Sequence, residues 1–234
     1  MKFKAIGTWS SKLDIGKKNS SFLLEDNTLL DCGPHAVEEL INSGINLKDI
    51  KAVLVTHLHL DHYGGIPELI WQRALNGITD PVNIIGPEKI ENSTISILKY
   101  YNTPEFMLEG VKFNNPDNRV TVAPGIHTVE DYTYRIKIEN KKLFYSGDTS
   151  YSETAIKNGE NCDIFIHEAT YCNNKEDEAK KYGHSTVNDA LKAFTLSRSK
   201  ILVPTHMSAD SLNQIKSLNY ENILIPEDGK VYYL

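Results

Sequence analysis

The chain has 234 residues, of which 40% are hydrophobic and 24% charged, and its formal net charge is −6. A chain of negative charge lacks the overall basic footprint of a non-specific nucleic-acid binder. No segment approaches the roughly 18 consecutive apolar residues that a membrane helix requires, so we expect no membrane span. Apolar segments are spread evenly along the chain, which predicts one domain over residues 1–234.

The N-terminus and the cysteines both bear on the cellular compartment. The first ten residues, MKFKAIGTWS, contain neither an apolar core nor a small-residue cleavage site, so we predict no signal peptide. The three cysteines, Cys32, Cys162 and Cys172, form no CxxC pair, and an odd number cannot complete a disulfide framework. These features predict a protein of the reducing cytoplasm.

Strand-like and helical segments alternate along the chain. SSFLLED and NTLLDCG predict a hairpin that turns at 25–27. Helices are predicted at 35–41, 67–75, 88–101 and 187–196. Further strands are predicted at 50–55, 82–85, 119–122, 132–139 and 142–146, the last two joined by a turn at Asn140. This alternation predicts an α/β fold.

Three apolar strands run directly into a histidine. They are contained in the segments IKAVLVTH, CDIFIHEAT and KILVPTHMS. Residues at the carboxyl ends of strands line the crevice where an α/β sheet binds its ligands. The repeated ending therefore predicts that the three strands contribute to one shared site.

The segment THLHLDHYGG contains four candidate metal ligands within six residues: His57, His59, Asp61 and His62. Imidazole nitrogens and carboxylate oxygens suit zinc and neighbouring first-row metals. Four such groups would be costly to bury so close together without a cation. Gly64 and Gly65 follow, and we expect them to let the backbone turn tightly and approach a ligand.

Three more candidate ligands lie downstream: His127 in PGIHTV, Asp148 in YSGDTS and His206 in PTHMS. Each of them is weak evidence alone, because a lone histidine is usually structural and an aspartate in such a context usually closes a turn. Added to the first four, they supply enough ligands for two metal ions.

Motifs along nearly the whole chain resemble the metallo-β-lactamase superfamily, and within it the ribonuclease Z-like branch. They are IGTWSS, LLDCG, HLHLDH, FYSGDTS, FIHEATY, GHSTVNDA and PTHMS. The resemblance implies a four-layer αβ/βα sandwich and two divalent metal ions, zinc in preference to manganese or iron. It also implies a ligand assignment: His57, His59 and His127 for one metal, Asp61, His62 and His206 for the other, with Asp148 bridging.

The resemblance also implies catalytic roles. Two metals would share a hydroxide that attacks the substrate, and Asp61 would ligate a metal and orient this nucleophile. His184 of GHST would protonate the leaving oxygen, held and charge-stabilised by Glu168 of HEAT. The alternative is that His184 only begins a helix and that Glu168 is a buried structural carboxylate.

Other polar residues near these motifs have supporting or unrelated roles in our interpretation. Thr56 and Thr205 each precede a presumed ligand, and Asp31 ends a strand, so we expect them to orient imidazoles. His167 is expected to point away from Glu168, because successive strand residues face opposite sides. His35 is predicted on the surface of a helix.

The chain departs from the ribonuclease Z pattern in two places. Ribonuclease Z enzymes carry a long Gly- and Pro-rich arm between the regions that match His127 and Asp148, and it grips the body of a transfer RNA. Only a short hairpin connects these regions here. The loop after His127 contains Glu130 and Asp131 where a less acidic loop is typical, which predicts altered substrate contacts.

Our leading hypothesis is a dinuclear-metal phosphodiesterase that uses a metal-bridging hydroxide on a small phosphodiester or nucleotide. The alternative enzyme is a ribonuclease Z-type endonuclease that processes the 3′ end of transfer RNA, with RNA as its partner. An alternative of another class is a non-catalytic metal-binding protein with the same fold. Because members of the resembled branch are often homodimers, we also consider a homodimer.

Overall fold

The computed structural model describes residues 1–218 and 220–234. The strands within these ranges are β1 (Lys2–Gly7), β2 (Ser21–Leu24), β3 (Thr28–Leu30), β4 (Ala52–Leu54), β5 (Val82–Ile85), β6 (Val111–Phe113), β7 (Val120–Pro124), β8 (Tyr132–Ile138), β9 (Lys141–Tyr145), β10 (Ile164–Glu168), β11 (Ile201–Thr205) and β12 (Val231–Tyr233). The helices are α1 (Ala36–Asn42), α2 (Leu60–Tyr63), α3 (Ile66–Leu75), α4 (Ile90–Tyr100), α5 (Glu153–Asn158), α6 (Glu176–Tyr182), α7 (Val187–Ser197) and α8 (Ala209–Ser217).

The strands form two sheets. One has the order β12-β1-β2-β3-β4-β5-β6, and the other has the order β11-β10-β9-β8-β7. Neighbouring strands are parallel from β3 to β6, and again from β9 to β11. Parallel neighbours end at the same edge of a sheet. The loops after β4, β9, β10 and β11 are therefore brought to common edges.

Side chains that alternate along the strands divide the apolar interior into layers. Phe22 faces a core shared by both sheets, whereas Leu23, the next residue, packs with helices α1, α3 and α4. On the other sheet, Leu143 faces the shared core and Phe144 packs with α5 and α7. Each sheet is thus covered by helices on its outer face. The predicted four-layer αβ/βα sandwich is confirmed.

Most of the predicted elements are present, with bounds shifted by one or two residues. The hairpin at 25–27 joins β2 to β3, and Asn27 takes a left-handed conformation with φ 63°. The second predicted turn lies between β8 and β9, where Glu139, the neighbour of Asn140, has φ 52°. Both turns place a residue in the left-handed region; asparagine tolerates it well at the first turn, whereas at the second turn Glu139 rather than Asn140 adopts it.

Helix α6 was absent from the sequence prediction, although its ends carry ordinary helix signals. Its first turn contains Glu176, Asp177 and Glu178, and its last turn contains Lys180 and Lys181. This arrangement complements the helix dipole. The next residue is a glycine with φ 70°, the usual left-handed helix ending. The helix has only one buried residue, so the apolar periodicity on which our prediction relied is weak here.

No helix within the described residues is both long and apolar enough to cross a membrane.

We predict that Leu54→Ala lowers the free energy of unfolding by about 3 kcal/mol, because it opens a cavity in the core between the sheets. Leu54 has an exposed fraction of 0% and packs with residues of both sheets. The matched control is Leu75→Ala on α3, where 64% of the side chain is exposed and the loss should stay within about 0.5 kcal/mol. Urea unfolding of the wild type and both variants measures these changes in the free energy of unfolding. Equal losses would contradict the assigned core.

Candidate metal centre

The predicted ligands lie at the carboxyl ends of parallel strands and in the segment that follows β4. His57 comes shortly after β4, Asp148 shortly after β9, and His206 directly after β11. Asp61 and His62 are carried by the short helix α2. The strand order within each sheet and the packing of the two sheets bring these ends together, so residues far apart in the chain share one site.

Gly64 and Gly65 serve a different purpose from the tight turn that we expected. Their φ angles are −60° and −84°, which most residues adopt. A Cβ on Gly65 would collide with the carbonyl oxygen of Gly33, and one on Gly64 would collide with that of Leu60. Gly65 therefore allows the ligand-bearing helix to lie close against the loop after β3, whereas Gly64 leaves room for a carbonyl oxygen of the helix itself.

One cluster consists of three imidazoles. His57, His59 and His127 each offer a nitrogen, and these atoms lie within 4.8 Å of one another. The Nδ1 atom of His59 lies 3.0 Å from His57 Nε2 and 3.2 Å from His127 Nε2. An arrangement of three nitrogens around one point is typical of a histidine metal site.

A second cluster combines two imidazoles and two carboxylates. His206 Nε2 lies 3.1 Å from Asp61 Oδ2 and 3.3 Å from Asp148 Oδ2. His62 Nε2 lies 3.2 Å from the same Asp148 oxygen. Asp148 Oδ2 is also 3.8 Å from His57 Nε2 of the first cluster. Asp148 therefore lies between the two clusters, the place in which the family resemblance implies a bridging ligand.

The charges of the site fit bound cations. Five carboxylates are gathered there, and the ion-pair partners of all five within the described chain are histidines: Asp31, Asp61, Asp131, Asp148 and Glu168. Four buried atoms of the site have no hydrogen-bond partner among the described residues: His62 Nε2, Asp148 Oδ1 and both carboxylate oxygens of Asp131. Burying unpaired charge is costly. A pair of divalent cations would neutralise the acids and use the free atoms of His62 and Asp148.

Asp31 supports the second cluster from behind. Its Oδ2 atom lies 2.7 Å from His62 Nδ1, and it accepts a hydrogen bond of 2.6 Å from the Tyr145 hydroxyl. Its Oδ1 atom accepts a hydrogen bond of 2.7 Å from the Thr56 backbone N–H. These contacts hold the His62 ring with Nε2 directed at the cluster. The expectation that Asp31 orients an imidazole agrees with this geometry.

Thr205 does not orient an imidazole, and that prediction was wrong. Its hydroxyl lies 2.9 Å from the Ser20 hydroxyl, and the Ser20 hydroxyl accepts a hydrogen bond from the His206 backbone N–H. The hydroxyl that reaches His206 belongs to Thr170, 2.8 Å from Nδ1. Thr170 lies in the HEAT motif, but no spacing rule assigns it to His206. Only the pairing of β10 with β11 brings the two residues together.

Glu168 and His184 form a pair beside the second cluster. His184 Nδ1 lies 3.0 Å from Glu168 Oε1 and 3.9 Å from Asp148 Oδ2. Glu168 also accepts hydrogen bonds from the backbone N–H groups of Thr149 and Ser185, at 2.7 and 3.0 Å. Burial acts to lower the pKa of His184, but the carboxylate of Glu168 raises that pKa to about 9. The Glu168 carboxylate thus favours the protonated form of the His184 imidazole, which is 14% exposed.

The remaining predicted histidines lie outside the site. His167 is buried, its Nδ1 is 2.8 Å from the Glu168 carbonyl oxygen, and its ring stacks on Phe165 at 5.4 Å. It faces the outer side of the sheet, as the alternation of strand residues predicted. The His35 side chain is 42% exposed at the start of α1.

We predict that the wild-type chain retains two divalent cations after dialysis and that His59→Ala retains one. The substitution removes the nitrogen that lies between His57 and His127. Elemental analysis by mass spectrometry measures the ratio of metal to protein, with His35→Ala as the matched histidine control. Two retained cations in His59→Ala would contradict the assignment of this cluster.

Known proteins share the fold and the sequence pattern. A family model described as "Beta-lactamase superfamily domain" matches residues 26–207. The solved structure of human tRNase Z, short form, superposes with a TM-score of 0.83 at 22% identity, covering 100% of this chain and 99% of that one. At that identity, the structural likeness establishes the fold.

Two curated relatives are similar in sequence. Mitochondrial ribonuclease Z 2 of Schizosaccharomyces pombe is 29% identical over 223 residues, and the match covers 87% of this chain but 32% of that protein. Ribonuclease Z of Bacillus velezensis is 26% identical over 264 residues, covering 88% of this chain and 86% of that protein. This aligned region is longer than the whole chain of 234 residues, so the relative contains residues that this chain lacks.

The resemblance predicted from the motifs is thereby confirmed: the chain belongs to the beta-lactamase superfamily and is a metal-dependent hydrolase.

Proposed function

We propose that this hydrolase is a phosphodiesterase that acts on a small phosphodiester or nucleotide with two divalent cations. The observation that carries the proposal is the Glu168–His184 pair beside Asp148, a proton donor next to a candidate dinuclear site. A non-catalytic metal-binding protein has no need for such a donor, so we do not favour that alternative.

The ligand assignment follows the two clusters. His57, His59 and His127 would hold one cation, and Asp61, His62 and His206 the other, with Asp148 shared by both. When bound, the cations would supply Lewis acidity toward the phosphoryl oxygens and lower the pKa of an attacking water. Zinc suits this nitrogen and oxygen donor set, and manganese or iron would also be accepted according to supply.

The residues of the chain supply orientation and a proton. Asp61 is 3.1 Å from His206 and 3.5 Å from His62, so its carboxylate is held at the second cluster, where it would orient the nucleophile. Glu168 holds His184 through Nδ1, which leaves Nε2 for the leaving oxygen. A protonated imidazole in this position can neutralise the alkoxide that forms when the phosphorus–oxygen bond breaks.

A cleft of about 340 Å³ opens beside His184. Its lining includes Tyr171, the serines Ser10 and Ser208, the lysines Lys12 and Lys175 and the acids Asp14 and Asp210. Its volume is at the lower end of the range for small-molecule sites, roughly 300 to 1,000 Å³. A cleft of this size favours a compact leaving group such as one nucleoside.

The absence of an arm also favours a compact substrate. Strands β8 and β9 are joined by the tight turn at Glu139 and Asn140, in the interval where ribonuclease Z enzymes extend their arm. Without that arm, the chain lacks the element that would grip the body of a transfer RNA.

The second candidate is a ribonuclease Z-type endonuclease that processes the 3′ end of transfer RNA. The names of both curated relatives favour it.

We also propose that the protein is a homodimer and that it resides in the cytoplasm. All three cysteines are free, which suits a reducing compartment, and the exposed aromatic residues Tyr100, Tyr101 and Phe106 offer apolar surface for a partner.

We predict that His184→Ala loses activity in proportion to how much the leaving group needs a proton. Cleavage of a dinucleotide, whose leaving group is a sugar alkoxide, should fall about 10²- to 10⁴-fold. Cleavage of bis-p-nitrophenyl phosphate should fall far less, because p-nitrophenolate leaves unprotonated. The measurement is kcat on both substrates, with metal content determined in parallel and His35→Ala as the control. Equal losses on both substrates would exclude His184 as the proton donor.

We expect kcat/KM to be higher for a small phosphodiester than for precursor transfer RNA, because the cleft is compact and the arm is absent. Purified protein loaded with zinc is assayed on both substrates under one set of conditions. Preferential cleavage of precursor transfer RNA at its 3′ end would overturn our choice in favour of the second candidate.

A further inference from the structure

Asp131 is a buried carboxylate in the loop before β8, and the proposed mechanism does not use it. The residue is 3% exposed and its side chain 0%. The Gly125 backbone N–H donates to its carbonyl oxygen at 2.9 Å, and the next residue, Tyr132, donates to the Thr56 carbonyl oxygen at 2.9 Å. The loop is therefore fastened to the strand end that bears His57.

The space around the carboxylate is made by two glycines. A Cβ on Gly125 would lie 2.5 Å from Asp131 Oδ1, and one on Gly147 would lie 3.0 Å from Oδ2. Gly147 has φ 57°, so glycine is favoured there for its backbone angle as well. A side chain at Gly125 or Gly147 would therefore occupy the space that the Asp131 carboxylate fills.

The one ion-pair contact that the described residues give Asp131 is with His57. Oδ2 lies 2.9 Å from His57 Nδ1, and both side chains are 0% exposed. The same nitrogen lies 3.1 Å from the Thr56 hydroxyl. The contact with His57 is an ion-pair distance without hydrogen-bond geometry, and neither oxygen of Asp131 has a hydrogen-bond partner within the described ranges. Leaving a carboxylate so buried would cost several kcal/mol unless positive charge compensates it nearby.

Asp31 offers a direct comparison within the same site. It lies 2.7 Å from His62 Nδ1, on the side of the ring opposite the second cluster. Asp131 has a similar place behind His57 of the first cluster, 2.9 Å from Nδ1, although the Asp31 contact is a hydrogen bond and the Asp131 contact is an ion-pair distance. Each cluster therefore has one buried carboxylate behind one of its imidazoles, although the two acids come from loops about a hundred residues apart in sequence.

We propose that Asp131 is a positioning residue for the His57, His59 and His127 cluster: its carboxylate holds the proton on His57 Nδ1 and directs Nε2 at the cation. A carboxylate behind a ligating imidazole fixes its tautomer and increases its basicity. The inference rests on the proposed metal centre and is independent of the substrate. The rival role is purely structural, in which Asp131 fills space between the glycines.

The test is zinc binding to Asp131→Asn, an isosteric variant that removes the charge. Competition with a chromogenic chelator gives both dissociation constants of the holoprotein. We expect one constant to rise about 10- to 100-fold and the other to stay unchanged. The unfolding free energy of the metal-free variant should not fall, because a buried charge has been removed. Glu130→Gln, at the exposed acid next in the chain, is the matched control and should bind like the wild type.

Unchanged constants in Asp131→Asn, or a loss of metal-free stability with both constants weakened alike, would overturn the positioning role. A wild type that fails to bind two cations would instead show that the metal centre, and with it the proposed function, is wrong.

A second measurement requires no variant. Side-chain nitrogen-15 spectra of the zinc-loaded wild type identify the tautomer of His57, which we expect to carry its proton on Nδ1. A proton on Nε2 would also overturn the proposal.

Discussion

The carboxylate of Asp148 lies between two histidine clusters, and the rest of the site depends on compensating its charge. It is buried at the junction of the sheets, within 3.8 Å of His57, His62 and His206. An isolated carboxylate in such a place would be strongly disfavoured. The surrounding imidazoles, and the cations that they are suited to bind, make its burial possible. The same charges would draw an anionic substrate to a chain whose overall charge is negative.

Most of the imidazoles are held from behind by a different element of the fold. Asp31 follows β3 and contacts His62, Thr170 follows β10 and contacts His206, and the carbonyl oxygen of Gly183 lies 2.8 Å from His127 Nδ1. Asp131 has this place behind His57. Rings fixed in this way lose little further freedom when they bind a cation, because folding has already ordered them.

The candidate metal ligands stood out in the sequence because their chemistry is unusual in a short span. Four potential ligands between His57 and His62 are improbable in a segment without a metal, and the strands that end in histidine indicate where the partners lie. The residues that support them have no such signal. Thr56 and Thr205 each stand directly before a presumed ligand and look alike in the sequence. In the structure, Thr56 contacts Asp31 whereas Thr205 contacts Ser20.

The amino-acid sequence by itself predicted the alternation of strands and helices and the types of metal ligand, because these follow from local periodicity and from side-chain chemistry. The roles of Glu168 and His184 and the bridging place of Asp148 were implied by the family resemblance. Only the tertiary structure decided that Thr170 reaches His206 and that Asp131 lies behind His57. Those contacts join residues from different loops, and their distances follow from strand order and sheet packing. Local sequence rules contain no information on either.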